Sequence, residues 1–129
     1  MEVIFSSLIS GLLGVIISNI YHKRNEVRRA KLQTLKSLLG NRYDITGDAF
    51  TEVLNELFVV FYDSKEVIKA LKDFHEVSLN EIRSNDVANI KLLELFKAMC
   101  SNLKINQDPL TDNFFLLPFN TRKINITPN

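Results

Sequence analysis

VIFSSLISGLLGVIISNIY (residues 3–21) carries no charged side chain, and HKRNEVRRAK (residues 22–31) follows it directly. A helix needs about 20 mainly apolar residues to cross the roughly 30 Å hydrocarbon core of a bilayer. The run has that length, so residues 1–22 read as a transmembrane helix. A secretory signal peptide carries positive charge before its apolar core and a small-x-small cleavage site after it. Here Glu2 precedes the core, the cations come after it, and no such site follows. A buried core helix is the competing reading, and the basic cluster abutting the run argues against it. An excess of Lys and Arg marks the cytoplasmic side. Lys23, Arg24, Arg28 and Arg29 therefore put the following chain in the cytoplasm and the N-terminus outside, in a single pass.

At a helical period the run has two unlike faces. Ser7, Ser10, Gly11, Gly14 and Ser18 share one narrow strip, and Phe5, Ile9, Leu12, Ile16 and Ile20 lie opposite. Small residues let helix backbones approach closely in lipid, where no hydrophobic effect drives pairing. The strip thus suits self-association, and its hydroxyls suit the lining of a pore equally well. The bulky face suits lipid.

Working outward, residues 1–39 hold Lys23, Arg24, Arg28, Arg29, Lys31 and Lys36 against Glu2 and Glu26, while the remainder carries an acidic surplus. The basic surplus sits beside the membrane, where anionic lipid attracts it by about 1 kcal/mol per charge. A nucleic acid has use for the same patch. Cys100 is the one cysteine. It has no partner for an internal disulfide, which agrees with a reducing cytoplasm, and its apolar helical setting reads as core.

The apolar pattern continues through residues 23–39 as a basic juxtamembrane extension of the same helix, ending at Gly40-Asn41. Residues 40–105 read as a helical bundle. A second helix over about 47–62 carries Phe50, Val53, Leu54, Leu57, Phe58 and Phe61 on one stripe, widened by Val59 and Val60 into a central helix. A third, over about 64–79 with Ser64 as its cap, turns Val67, Ile68, Leu71, Phe74 and His75 inward. A fourth, over about 86–104, turns in Ile90, Leu92, Leu93, Leu95, Phe96, Met99, Cys100 and Leu103. Residues 106–129 are punctuated by Pro109, Pro118 and Pro128. They read as an extended tail, with a short strand as an option, whose Phe114–Phe119 cluster packs on the bundle or on a neighbouring subunit. The fold class expected is all-α.

No catalytic signature occurs: there is no Gly-rich phosphate loop, no G-x-S-x-G, no H-E-x-x-H and no cysteine cluster. No catalytic residue, metal site or cofactor is expected. His22 and His75 fall on different helices without ligand spacing. Arg42 and Tyr43 lie in the turn after the first helix, and Asn55 lies inside the most apolar stretch, VLNELF. A polar group there needs a partner. Either Asn55 ties the Gly40–Tyr43 turn to the second helix, or Arg42, Tyr43, Asn55 and a nearby Lys form a pocket for an anionic ligand such as an oligonucleotide, with Tyr as a stacking surface.

Several motifs together resemble a family of small bacterial single-pass membrane proteins of long-unassigned function. They are Leu38-Leu39-Gly40-Asn41-Arg42 at the turn, Leu54-Asn55-Glu56-Leu57-Phe58-Val59-Val60-Phe61 in the second helix, the leucine-rich run from Leu92 to Met99, and Phe115-Leu116-Leu117-Pro118 in the tail. The family often has Ala-Thr-Arg at the turn and a Trp before the fourth helix, and this chain has neither. The design resembles the membrane channel effectors of the Hailong anti-phage defence system. That resemblance implies an ion channel in the bacterial inner membrane, a homo-oligomer such as a tetramer. It implies a partner nucleotidyltransferase making single-stranded oligodeoxyadenylate, which binds the cytoplasmic domains and holds the channel shut. An acidic domain that holds such a polymer needs local cations: Lys36, Arg42, Lys65 and Lys69, with Tyr43 and Tyr62 stacking on bases. The basic stretch Lys23–Lys31 is the rival site. A membrane tether that recruits a protein partner without any pore is the alternative function, and a membrane enzyme has no constellation to support it.

Overall fold

A computed structural model describes residues 2–80, 82 and 84–124; the side chains of residues 2–7 and 123 lie outside that description. The chain is all-helical, and no strand forms among the described residues. Helix α1 runs unbroken over Glu2–Gly40, 39 residues, or about 58 Å at 1.5 Å per residue. With no Pro inside it, nothing interrupts its hydrogen-bond ladder. It ends where the Asn41 side chain turns back and its Nδ2 donates to the Ser37 carbonyl at 2.8 Å. A 3-10 turn, Arg42–Asp44, leads to α2, Asp48–Val60. Gly47 stands at the start of α2 because the chain folds back tightly there: a Cβ would collide with the Asp44 carboxylate and sit 3.1 Å from the Asp44 carbonyl oxygen.

Helices α3 (Lys65–Leu79) and α4 (Asn85–Asn102) complete the bundle, each opened by a serine. The Ser64 hydroxyl accepts from the Val67 N–H at 3.2 Å and that of Ser84 from the Asp86 N–H at 3.2 Å. Such caps satisfy donors the helix itself leaves orphaned. Helix α1 packs on α2 and α3 on α4, while α2 and α3 touch little. Between the two pairs lies one core, built from Leu35 and Leu38 of α1, Phe50 and Leu57 of α2, Phe61 just beyond it, Val67 and Phe74 of α3, and Leu92, Leu95, Phe96 and Met99 of α4. Cys100 belongs to this core, and burial pushes its thiol above the usual range.

Helix α4 closes with a Schellman turn. The Ile105 N–H donates to the Cys100 carbonyl at 2.9 Å and the Lys104 N–H to that of Ser101 at 3.1 Å. Lys104 takes the left-handed position, at φ 57°, where glycine is usual. Arg28 reaches across from α1, and its Nη1 donates to the Leu103 carbonyl at 2.8 Å. A cation there also complements the negative end of the α4 dipole.

Three expectations are corrected. The tail, as far as residue 124, is not simply an extended segment or a strand: Asp112–Leu116 forms a short helix, α5, and Thr121–Lys123 a 3-10 turn, while residues 125–129 lie outside the described residues. It does pack on the bundle, through Phe115, which is buried and stacked on Phe96 with ring centroids 6.4 Å apart. Helix α2 is not central. Phe58 and Val59 are exposed, because only the face carrying Phe50 and Leu57 meets the other helices. Ile90 and His75 likewise are exposed and lie outside the core.

Candidate ligand-binding surface and the exposed half of the first helix

Arg42 is half-buried and occupied in holding the structure together. Its Nη1 donates to the Leu39 carbonyl at 2.7 Å, and its Nη2 lies 3.4 Å from the Phe114 carbonyl of α5. Arg42, and not Asn55, therefore ties the Gly40–Tyr43 turn, and it ties that turn to the tail. Asn55 is exposed and makes no such tie.

The sequence-derived ligand residues separate into two groups. Arg42 and the exposed Tyr43 sit before α2, whereas the exposed Tyr62 and Lys65 sit after it. Helix α2 has 13 residues, so about 20 Å divides the groups. Lys36 is exposed on the last turns of α1. No single cleft in one subunit takes all of them.

Where α2 and α3 part, a groove of about 750 Å³ opens between α2, α3 and α4. Thr51, Asn55 and Phe58 line it from α2, at spacings that put them on one helix face. Leu71, Lys72 and His75 line it from α3, and Asn85 and Asn89 from α4. Lys65, Lys69 and Lys72 share one stripe of α3, at i, i+4 and i+7. The stripe leads from the α2–α3 turn, where Tyr62 is 81% exposed, into the groove. Lys69 pairs with Asp73 at 3.2 Å, an exposed contact worth about 0.5 kcal/mol and easily exchanged. Phe58, 53% exposed, offers a ring face, and the asparagine amides offer both donors and acceptors. Such a surface suits a ligand with flat rings, polar edges and negative charge. The apolar stripe of α2 hid this face in the sequence, and Lys72, Asn85 and Asn89 carried no motif.

The other feature is α1 before Val27. Leu8, Ile9, Leu12, Leu13, Val15, Ile16, Ile17 and Ile20 are all exposed, and the rest of the described chain covers none of them. Among the described residues no helix is long and apolar enough to cross a membrane. The described side chains begin at Leu8, and Leu8–Tyr21 amounts to about 21 Å of helix, short of the roughly 30 Å needed. The span read from the sequence begins at Val3, and its first five side chains, with Ser7 of the small-residue strip, lie outside the described residues. Ser10, Gly11, Gly14 and Ser18 do lie along α1, all exposed. A Cβ placed on Gly11 or Gly14 would meet nothing within 4 Å.

A family model matches residues 1–111. The chain belongs to the DUF6680 family, a family of unknown function. The match takes in α1 to α4 and leaves α5 outside. This DUF6680 chain is also 32% identical over 89 residues to an adenylate kinase of Buchnera aphidicola subsp. Baizongia pistaciae, a stretch that makes up 67% of this chain and 41% of that one. The chain thus spans about two-fifths of that relative's length. Its four glycines, Gly11, Gly14, Gly40 and Gly47, form no G-x-x-x-x-G-K-[ST] loop in which a transferred phosphate would lie. No solved structure matches.

Proposed function

We propose that this DUF6680 protein is a membrane effector of bacterial anti-phage defence: a homo-oligomeric ion channel of the inner membrane, gated by a single-stranded oligodeoxynucleotide on its cytoplasmic head. The observation that carries the membrane part is the unbroken row of exposed apolar side chains along α1 from Leu8 to Ile20, next to a head whose buried apolar residues share one core. Patches of that size on a soluble surface mark a membrane or a partner. The defence role and the ligand rest on the resemblance to Hailong effectors.

One chain supplies one membrane helix and therefore no lumen, so conduction needs several copies. Gly11 and Gly14, with open space around them in the monomer, suit close contact with a neighbouring α1. Gating needs a connection between head and membrane, and α1 supplies it as one stiff rod. Its Leu35 and Leu38 are locked in the core, so a tilt of the head must move the membrane half with it. The oligodeoxynucleotide, which the resemblance makes oligodeoxyadenylate, lies along Lys65, Lys69 and Lys72. Tyr62 and Phe58 stack on its bases and Asn55 meets their edges. Arg42 stays with the fold.

The test uses the full chain in detergent and in planar bilayers. The expected result is an oligomer by mass and a conductance that oligodeoxyadenylate suppresses. A monomer contradicts the channel, and an oligomer that never conducts favours the tether. Replacing Lys65, Lys69 and Lys72 with Gln should flatten the slope of log affinity against log salt by about 2, since each contact to a single strand contributes about 0.7. An unchanged slope moves the ligand elsewhere, to Lys23–Lys31 first.

A further inference from the structure

A second concavity, about 400 Å³, opens where α1 leaves the head. One stripe of α1 forms its wall: Ile20, Lys23, Arg24, Val27, Arg28 and Lys31, spaced at three and four. Its floor is the end of α4, Asn102 and Leu103, and Asp63 closes one side.

The four cations of this wall are not equivalent. Lys31 is 6% exposed, bonded to Asp63 at 2.9 Å and set over the Phe61 ring, 5.6 Å from its centroid. Asp63 neutralises it. Arg28 keeps its charge while bonded to a backbone carbonyl. Lys23 and Arg24 are exposed and have no partner among the described residues. The concavity therefore holds an uncompensated positive charge beside the apolar side chains of Ile20, Val27 and Leu103.

We propose that this concavity is a site for one anionic phospholipid, such as phosphatidylglycerol. The phosphate lies against Lys23, Arg24 and Arg28. An acyl chain runs along Ile20 toward the bilayer. Basic pockets beside membrane helices on the cytoplasmic side have the chemistry for such headgroups. A soluble phosphate would use the same cations but leave Ile20 and Val27 wet. The proposal rests on the reading of α1 as a membrane helix.

The full chain in neutral detergent, titrated with lipid and followed by native mass spectrometry, tests it. Phosphatidylglycerol should bind at least tenfold tighter than phosphatidylcholine. Lys23→Gln with Arg24→Gln should weaken it about thirtyfold, the weight of two interfacial cations, and Lys23→Arg with Arg24→Lys should restore it. Arg29 lies across the helix from this wall and is also exposed, so Arg29→Gln should cost less than twofold. Equal losses in Arg24→Gln and Arg29→Gln would mean diffuse attraction and overturn the pocket. Displacement of the lipid by inorganic phosphate at matched concentration would overturn the lipid as occupant. Flotation on vesicles of phosphatidylcholine alone tests the anchor separately. A chain that does not float there contradicts the membrane reading beneath the proposal. A chain that floats but does not prefer phosphatidylglycerol contradicts the pocket alone.

Discussion

The two halves of α1 are one helix with two fates. From Lys31 to Leu39 its apolar side chains meet α2 and the core, and Leu35 and Leu38 lose nearly all their exposure. From Leu8 to Ile20 comparable side chains stay exposed. The ladder of backbone bonds is the same in both, so propensity does not separate them. The surroundings do: one half is covered by its own chain, and the other exposes an apolar surface that must be covered from outside. A single rigid element that belongs to the head at one end and to something else at the other is a lever.

The largest effect expected comes from one substitution made in each half. Leu38→Ala should destabilise the head by about 2–5 kcal/mol, the usual range for a cavity in a packed core. Leu12→Ala should leave it within about 0.5 kcal/mol. Denaturant unfolding followed by circular dichroism measures both, and similar losses would erase the distinction between the halves.

The boundary between the halves is Lys31. Asp63→Asn leaves its buried ammonium without a carboxylate and should cost about 2 kcal/mol, less than a fully buried pair because Asp63 is itself largely exposed. Lys31→Met removes the charge together with the need for a partner and should fall within about 1 kcal/mol of the wild type. Thermal midpoints of the two variants decide whether the charge or the side-chain packing matters at this position.

Within the head, Arg42→Ala should cost about 1.5 kcal/mol, since it deletes charge-assisted bonds to the Leu39 and Phe114 carbonyls. Asn55→Leu should change stability by no more than about 0.5 kcal/mol. The same unfolding curves separate the residue that fixes the turn from the residue that faces the groove. The last effect is a gain. Lys104→Gly should stabilise by about 1 kcal/mol, because glycine takes the left-handed position without Cβ strain. A loss there would show that the Lys104 side chain contributes more than the strain costs.

Much of the helix plan was legible because it rests on local signals. The continuity of α1, the serine start of α3 and the inward faces of Leu92 to Leu103 follow from periodicity and capping. The misreadings have a common physical origin: periodicity reports which residues are apolar, and only packing decides which of them are covered. The α2 stripe contains more apolar residues than one face of the head needs, so Phe58 and Val59 remained outside. Lys31 was read with the lipid-facing cations, and nothing local distinguishes it from Arg29. Its partner Asp63 lies 32 residues away and its neighbour Phe61 almost as far. The ligand residues were chosen by charge and by turns, and the length of α2 then put them at opposite ends. The α5 helix was missed because Thr111 as its cap is a weak signal between two prolines.

The central claim is that lipid and neighbouring copies of α1 cover the exposed half of that helix. Nitroxide labels placed singly at Ile9, Leu12, Ile16 and Gly14, in full-length protein carrying Cys100→Ser and reconstituted in bilayers, test it most directly. Collisions with oxygen and with a water-soluble relaxer are read at each site. The account predicts strong oxygen relaxation and little aqueous relaxation at Ile9, Leu12 and Ile16, with Gly14 sheltered from lipid by the neighbouring helix. Strong aqueous relaxation at all four sites would mean that α1 lies in water, and the account would be wrong.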